Sequence, residues 1–205
     1  MEESPLIACS PPGALLSFAD LRAYAAEAER SRFTCLVLDA APGFDPLTAA
    51  AALMPLTHAI KIAVDVVPDG REPYTLARGL AALDHLSRGR AAWRIGPVTD
   101  ISRTREFIDV TRKLWTSWQA DAVVFDKAAA VFSDPAKVAR LDHVGAAFHV
   151  RGPLNTPRPP QGRPPLLVDA ASPLRDLADV VFGENGAVLV RCATSDLFAL
   201  AEGLR

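Results

Sequence analysis

The sequence predicts an α/β fold in which parallel strands alternate with helices. The prediction rests on residues 60–96, which read as strand, loop, helix, turn and strand. A β-branched run at 60–67 ends in the breaker Pro-Asp-Gly at 68–70, and leucines at three- and four-residue steps over 76–86 are typical of an amphipathic helix. Gly89 follows the last turn of that helix, and the apolar residues after it return to the sheet. Two strands joined by a helix form a right-handed parallel unit.

Further segments extend this pattern on both sides. Strands are predicted in four more short apolar runs bounded by turn residues: 5–9, 34–38, 166–169 and 187–192. Helices are predicted where apolar residues recur at helical spacing behind a capping residue: 18–31, 45–57, a helix through 107–118 capped by Asp100 or Ser102, from 172 onwards, and 197–204. At the fourth of these, Ser172-Pro173 offers an N-cap and a proline at the first helical position.

Residues 121–165 depart from the alternation and form a small excursion before the fifth parallel strand. Within it, 122–125 and 147–150 are candidate strands, and 134–138 is one or two helical turns. Residues 152–165 hold six prolines in fourteen positions, which indicates an ordered loop or a linker and excludes the interior of a sheet. About six parallel strands leave two architectures open, an incomplete α/β barrel and a doubly wound sheet. The first strand lacks a following glycine-rich phosphate loop, which weakens a dinucleotide-binding reading.

Composition bounds the class of protein. With 50% hydrophobic and 22% charged residues, the 205 residues are expected to form one soluble globular domain, 1–205, with a sizeable core. A net charge of -2 does not show the excess of basic residues that is typical of proteins that bind nucleic acid or an anionic membrane. No apolar run approaches the roughly 20 residues of a membrane-spanning helix, and the first residues are acidic where a signal peptide is basic. We therefore expect a cytoplasmic protein.

Few residues point to chemistry by their position alone. Asp39 ends the second predicted strand, and α/β folds place ligands at the carboxyl ends of parallel strands. An aspartate bonded to its own loop backbone is an equally good interpretation. The three cysteines share no metal-ligand spacing, so a metal site is not expected. All four histidines fall on helices or in the excursion, which leaves no candidate general base at the strand ends.

Two groups of motifs resemble the bacterial luciferase-like, flavin-dependent monooxygenases. YTLAR at 74–78 with LDHLSRGR at 83–90 resembles the helix-to-strand signature of that family. A second group resembles the branch that acts on nitrilotriacetate and dibenzothiophene sulfone: KLWTSW to FSDPAKV over 113–138, DHVG at 142–145, FHVRGPL at 148–154 and PRPPQG at 157–162. The resemblance covers about residues 33–190.

The resemblance implies a TIM barrel, here incomplete, that uses oxygen and reduced FMN supplied by a separate flavin reductase to oxidise a small organic substrate. The flavin of the family lies at the carboxyl-terminal mouth of the strands. Asp39 matches the acidic position near the flavin ring, and Asp69 falls where the family has a small hydroxyl residue. Ser172 matches a Ser-Pro motif that helps to hold the FMN phosphate, a role that suits a helix N-terminus. Arg94 and Arg175 are further candidates for pairing with phosphate, with ordinary surface arginines as the alternative.

The sequence also departs from the family. After the fourth strand it lacks the polar segment whose His and Tyr contact the flavin, and Leu174-Arg175 replace the glycine of the Ser-Pro motif. The sequence ends near the sixth predicted strand. Two hypotheses follow: an FMN-dependent monooxygenase, or a catalytically degenerate relative that is a noncatalytic flavin-binding protein or a partner subunit. Because an unclosed barrel exposes strand edges, we expect a homodimer.

Overall fold

The computed structural model describes residues 6–11, 17–31, 33–39 and 45–203. Its contacts divide the chain into two compact units, each described by itself. The first unit comprises Met1–Val66, Arg90–Pro97 and Pro165–Arg205, and the second unit comprises Val67–Gly89 and Val98–Pro164. The single domain expected from the sequence stays a prediction. The first residue of predicted strand 5–9 and the last of predicted helix 197–204 lie outside the described residues.

The strands and helices of both units are as follows. The strands are β1 Ile7–Ser10, β2 Cys35–Leu38, β3 Lys61–Val66, β4 Ala91–Ile95, β5 Val123–Asp126, β6 Val131–Ser133, β7 His143–Val144, β8 His149–Val150, β9 Leu166–Asp169, β10 Val180–Phe182 and β11 Val188–Arg191. The helices are α1 Phe18–Arg30, α2 Pro46–Leu53, α3 Pro73–Ser87, α4 Ile101–Trp115 and α5 Leu197–Gly203. In the described part of the chain, no helix is both long and apolar enough to cross a membrane.

The first unit is built on a seven-stranded parallel sheet in the order β10-β9-β4-β3-β2-β1-β11. The sheet curves into a nearly closed barrel, which confirms the predicted incomplete barrel. One strand, β10, was not predicted, because three residues are too few to show a period of two. The helix predicted from Ser172 is wrong: Arg175–Leu177 forms a single 3₁₀ turn, and the chain then enters β10 beside β9.

The inner face of the sheet is lined by small and apolar side chains. Successive residues of a strand point to opposite faces, so every second residue faces inward. The buried inner cluster consists of Ala8, Cys35, Val37, Ala63, Ala92, Leu167, Phe182 and Ala187. On β3 the alternation also places Lys61 on this face before Ala63, and Asp65 after it. The inner face therefore changes from basic to apolar to acidic along one strand.

The turn before β3 is held by one acidic and one basic side chain. Glu29 Oε1 accepts the backbone N–H groups of His58, Ala59 and Ile60 at 2.9, 2.6 and 2.9 Å. Arg90 donates to the carbonyl oxygens of Met54, Thr57 and Ile60 and to the Thr57 hydroxyl at 2.8–3.1 Å. Burial raises the pKa of Glu29, but the three N–H bonds outweigh it and hold this pKa below its ordinary value.

The second unit is organised by hydrogen bonds between its helices and its proline-rich segment. Trp115 Nε1 of α4 donates to the Ala77 carbonyl of α3 at 2.9 Å. Asp84 of α3 is fully buried and accepts from the backbone N–H and the side-chain amide of Gln161 at 3.0 and 2.6 Å. Trp118 Nε1 donates to the Leu154 carbonyl at 2.7 Å. The residues that carry the family resemblance are therefore this unit's framework.

The excursion contains more strands than the sequence predicted. Both predicted strands are present as β5 and β8, and each pairs with an unpredicted antiparallel partner, β6 and β7 respectively. The partners have three and two residues, so their pairing depends on the hairpins and leaves no local pattern in the sequence.

Replacing Glu29 by alanine tests the turn before β3. Three backbone N–H groups would lose their acceptor, so we expect the free energy of unfolding to fall by about 1–3 kcal/mol at pH 7 in urea denaturation. Because the pKa of Glu29 is depressed in the folded state, its stabilisation is present above the ordinary glutamate pKa and is lost as pH falls through the folded pKa. The difference between Glu29→Ala and the wild type should therefore shrink in acid.

The matched control is Asp109→Ala, which removes a half-exposed helical ion pair with Lys113. That variant should change the free energy of unfolding by less than about 0.5 kcal/mol. Equal effects of the two substitutions would show that Glu29 does not hold the turn.

Candidate functional site

A cluster of six polar side chains lies at the carboxyl ends of the parallel strands, all within the first unit. Most stand two residues after a member of the buried inner cluster, and the alternation of the strand therefore directs them to the same inner face. We call them the mouth cluster: Ser10, Asp39, Asp65, Arg94, Asp169 and Arg191. This end of a parallel sheet is where α/β folds bind ligands.

Arg94 occupies the centre of one half of the mouth cluster. Its Nη1 donates to Asp65 Oδ2 at 2.9 Å, and its Nη2 donates to Asp169 Oδ2 at 2.5 Å. Arg94 is only 8% exposed, so its charge depends on these two carboxylates for compensation. The two ion pairs join β3, β4 and β9 across the inner face.

The other half of the mouth cluster is centred on Asp39. Arg191 Nη2 pairs with Asp39 Oδ2 at 2.6 Å, and the Ser10 hydroxyl donates to the same oxygen at 3.2 Å. These contacts join the ends of β1, β2 and β11, although 152 positions separate Asp39 from Arg191 in the sequence. The two halves interact electrostatically, because the Asp39 carboxylate acts on Asp65.

Asp65 differs from an ordinary surface carboxylate. Burial is the main cause that raises its pKa above the ordinary aspartate value. The Arg94 guanidinium lowers this pKa, whereas the carboxylates of Asp39 and Asp169 raise it. The cluster contains three carboxylates and two guanidinium groups, and protonating Asp65 brings its formal charge from -1 to zero.

Three buried polar atoms of the mouth cluster have no hydrogen-bond partner in the described chain: Asp39 Oδ1, Asp65 Oδ1 and Arg94 Nε. A buried polar atom without a partner is costly, so each one calls for a water or a ligand. Two of these atoms accept hydrogen bonds and one donates. The edge of a flavin ring presents an N–H group and carbonyl oxygens, so this set fits the ring of a flavin.

The five residues proposed from the sequence are not all brought together. Asp39 and Arg94 are both members of the mouth cluster. Asp69 belongs to the second unit, where it accepts from the Thr99 hydroxyl at 3.2 Å. Ser172 and Arg175 follow β9: the Ser172 hydroxyl accepts from the Leu174 backbone N–H at 3.2 Å, and Arg175 pairs with Glu184. The helix N-terminus expected to bind phosphate at Ser172 is replaced by a short turn.

Four members of the mouth cluster were missed by sequence reasoning: Ser10, Asp65, Asp169 and Arg191. A usable signal was present for three of them, since each of Ser10, Asp65 and Asp169 lies two residues after an inner apolar residue. Applying the period of two at the end of every predicted strand would have selected these polar residues. Their contacts, of Ser10 with Asp39 and of Asp65 and Asp169 with Arg94, depend on the order of the strands, as does the pairing of Arg191 with Asp39.

The model of the luciferase-like monooxygenase family matches residues 7–178, which is most of the chain. The chain belongs to this family. The family and the branch proposed from the sequence motifs are therefore confirmed.

Curated relatives come from the predicted branch. The chain is 37% identical over 153 residues to dibenzothiophene-sulfone monooxygenase of Rhodococcus erythropolis, which covers 65% of the chain and 33% of that protein. It is 34% identical over 190 residues to nitrilotriacetate monooxygenase component A of Aminobacter aminovorans, covering 81% of the chain and 42% of that protein. The chain thus spans between a third and a half of the length of these two relatives.

Solved structures of the same fold include a riboflavin lyase with modified FMN and riboflavin. It aligns with a TM-score of 0.74 and 25% identity over 82% of this chain and 51% of its own. A long-chain alkane monooxygenase aligns with a TM-score of 0.76 over 84% of this chain and 53% of its own, and its 23% identity supports the fold alone.

Two substitutions in the mouth cluster should differ in their effect on stability at pH 7. Arg94→Met leaves Asp65 and Asp169 without compensation, and we expect it to lower the free energy of unfolding by about 2–3 kcal/mol. Asp65→Asn removes a carboxylate whose pKa is raised by folding, so we expect a change within about 1 kcal/mol. Urea denaturation measures both.

The pH dependence checks the sign of the Asp65 contribution. A raised folded-state pKa means that ionised Asp65 opposes folding above that pKa, and wild-type stability should rise as pH falls through it. Asp65→Asn should abolish this part of the pH profile. A loss of stability in Asp65→Asn as large as in Arg94→Met would show that ionised Asp65 stabilises the fold.

Proposed function

We propose that the chain binds reduced FMN at the mouth cluster and is the flavin-binding part of a monooxygenase that uses oxygen on a small organic substrate. The observation that supports this most strongly is the set of three unpartnered buried atoms, Asp39 Oδ1, Asp65 Oδ1 and Arg94 Nε, at the carboxyl ends of the strands. Membership of a luciferase-like monooxygenase family supports it independently. Because the chain spans 33% of the dibenzothiophene-sulfone enzyme, activity and substrate are proposals.

Each mouth residue would have a defined task toward the flavin ring. Asp39 and Asp65 would accept from a ring N–H, and Arg94 would donate through Nε to a ring carbonyl oxygen. When bound, reduced FMN supplies the electrons that activate oxygen. Burial raises the pKa of Asp65 and so favours its protonated carboxyl relative to an exposed aspartate, and Asp65 is the group proposed to exchange a proton inside the site.

The proposed phosphate ligands have local partners at present. The Ser172 hydroxyl accepts one hydrogen bond and keeps its own O–H to donate, whereas Arg175 would exchange Glu184 for the phosphate. Asp69 accepts from Thr99 and is retained as a proposed cofactor-binding residue. Different residues are therefore proposed to bind the flavin ring and the phosphate, so the two contributions can be measured separately.

We further propose that a separate flavin reductase supplies the reduced cofactor, in a cytoplasmic setting. One matching protein supports this by its name, the nitrilotriacetate monooxygenase "component A" at 34% identity.

A homodimer is proposed because β10 and β11 are the two ends of the described sheet, where strand edges call for a cover. We expect light scattering at micromolar concentration to give twice the mass of the chain. A stable monomer would contradict this proposal and leave the flavin site unaffected.

A noncatalytic flavin-binding protein or partner subunit is the second candidate. One observation favours it: both arginines proposed for the phosphate, Arg94 and Arg175, are already paired with carboxylates. Oxygen consumption with a flavin reductase distinguishes the two candidates. If a thioether, a sulfone or an amino-acid-type carboxylate accelerates oxygen consumption, the protein is an oxygenase. If FMN binds and none of these compounds accelerates oxygen consumption, the protein is the noncatalytic candidate.

Titration with oxidised and reduced FMN tests the site, with riboflavin as the matched ligand that lacks the phosphate. We expect a dissociation constant of about 1 μM or below for reduced FMN. Asp39→Ala should weaken FMN and riboflavin about equally, by roughly tenfold, because it acts on the ring. Ser172→Ala and Arg175→Ala should weaken FMN and leave riboflavin unchanged, because they act on the phosphate.

The control for these titrations is Asp109→Ala, on an exposed face of α4. Its affinities should equal those of the wild type. Absence of binding up to millimolar FMN in both oxidation states would overturn the proposed function.

A further inference from the structure

We propose that the amino-terminal end of the same sheet is a second binding site, which takes a small monocarboxylate with an apolar body, and that Lys61 pairs with its carboxylate. The proposal is independent of the flavin site. It concerns the opposite end of the strands and uses no member of the mouth cluster.

A cavity of about 530 Å³ opens at this end of the first unit. Its apolar walls include Leu6, Cys35, Ala92, Leu167, Val180 and Ala187. Bulky branched side chains fill the interior of most complete α/β barrels, whereas alanines and a cysteine occupy several inner positions here. The small side chains leave the space open, and its size lies within the ~300–1,000 Å³ of small-molecule pockets.

Lys61 is the charged residue that gives this cavity its chemistry. It faces inward two residues before Ala63, and it lines the cavity. Lys61 is the register partner of Cys35 on the neighbouring strand β2. Burial raises the pKa of the Cys35 thiol to about 12, and the positive charge of Lys61 opposes that rise. The Lys61 side chain makes no hydrogen bond or ion pair with the described residues.

The acidic residues at the cavity rim already have partners. Asp179 Oδ2 accepts the Leu166 backbone N–H at 2.8 Å, and Glu184 is paired with Arg175. Asp179 keeps its negative charge, but its bonded oxygen is engaged by the Leu166 N–H, and Lys61 is the cation of this lining with no partner among the described residues. A half-buried ammonium beside apolar walls favours a ligand with one carboxylate and a hydrocarbon body, because both parts are then satisfied together.

The two sites are distinct on the strand that they share. Lys61 and Asp65 are four residues apart on β3, which corresponds to ~13 Å along a strand. The inner cluster of apolar side chains lies between them. Occupancy of one site is thus expected to leave the other accessible.

Calorimetric titration of the full chain with octanoate and with octan-1-ol tests the proposal. The two probes share a hydrocarbon body and differ in charge. We expect saturable 1:1 binding of octanoate, at least about tenfold tighter than octanol. Lys61→Met should remove this preference by weakening octanoate alone, and Lys61→Arg should retain it. Lys127→Met, at an exposed lysine of the β5–β6 turn, should behave as the wild type.

Several outcomes would overturn the proposal. Equal affinity of the wild type for octanoate and octanol would do so without any variant, so the test stands even if Lys61→Met fails to fold. Unchanged octanoate binding by a folded Lys61→Met would also overturn it. Competition between octanoate and FMN would place the carboxylate at the mouth cluster instead. Failure of FMN to bind leaves the octanoate result standing, which keeps the two proposals separate.

Discussion

The buried guanidinium of Arg94 is the interaction on which the carboxyl end of the sheet depends. A charge that is 8% exposed has little water for compensation, and it requires carboxylates from both neighbouring strands. Asp65 and Asp169 provide them and thereby fix the ends of three strands relative to each other. The same arrangement raises the pKa of Asp65 and leaves buried atoms without partners. Stability and ligand binding thus compete for the same side chains.

The other half of the mouth cluster also joins strand ends through a charged group. Asp39 pairs with the guanidinium of Arg191 from β11 and accepts a hydrogen bond from the hydroxyl of Ser10 from β1, and one of its oxygens has no partner. A flavin ring would complete the hydrogen bonds of a cluster that the protein alone leaves incomplete. The proposed function rests on these unsatisfied hydrogen bonds. They point to the residues proposed to contact the flavin ring, whereas no such atoms point to the residues proposed to contact the phosphate.

The family motifs and the proposed chemistry lie in different parts of the chain. The motifs that identified the family include Asp84, Gln161 and Trp118, which form the hydrogen-bonded framework of the second unit. The mouth cluster is in the first unit and includes residues that the motifs did not point to, such as Asp65 and Asp169. Family membership therefore follows from the framework, whereas activity must be argued from the cluster.

The sequence by itself determined the class of fold, six of the seven parallel strands to within two residues, and the family. These follow from local periods, capping residues and motifs, each readable within a few neighbouring positions. Only the tertiary structure decided that β10 forms where the sequence predicted a helix, and that β11 lies beside β1. The second fact brings Arg191 to Asp39 across 152 positions. Strand order and register are long-range contacts, and a local pattern does not encode them.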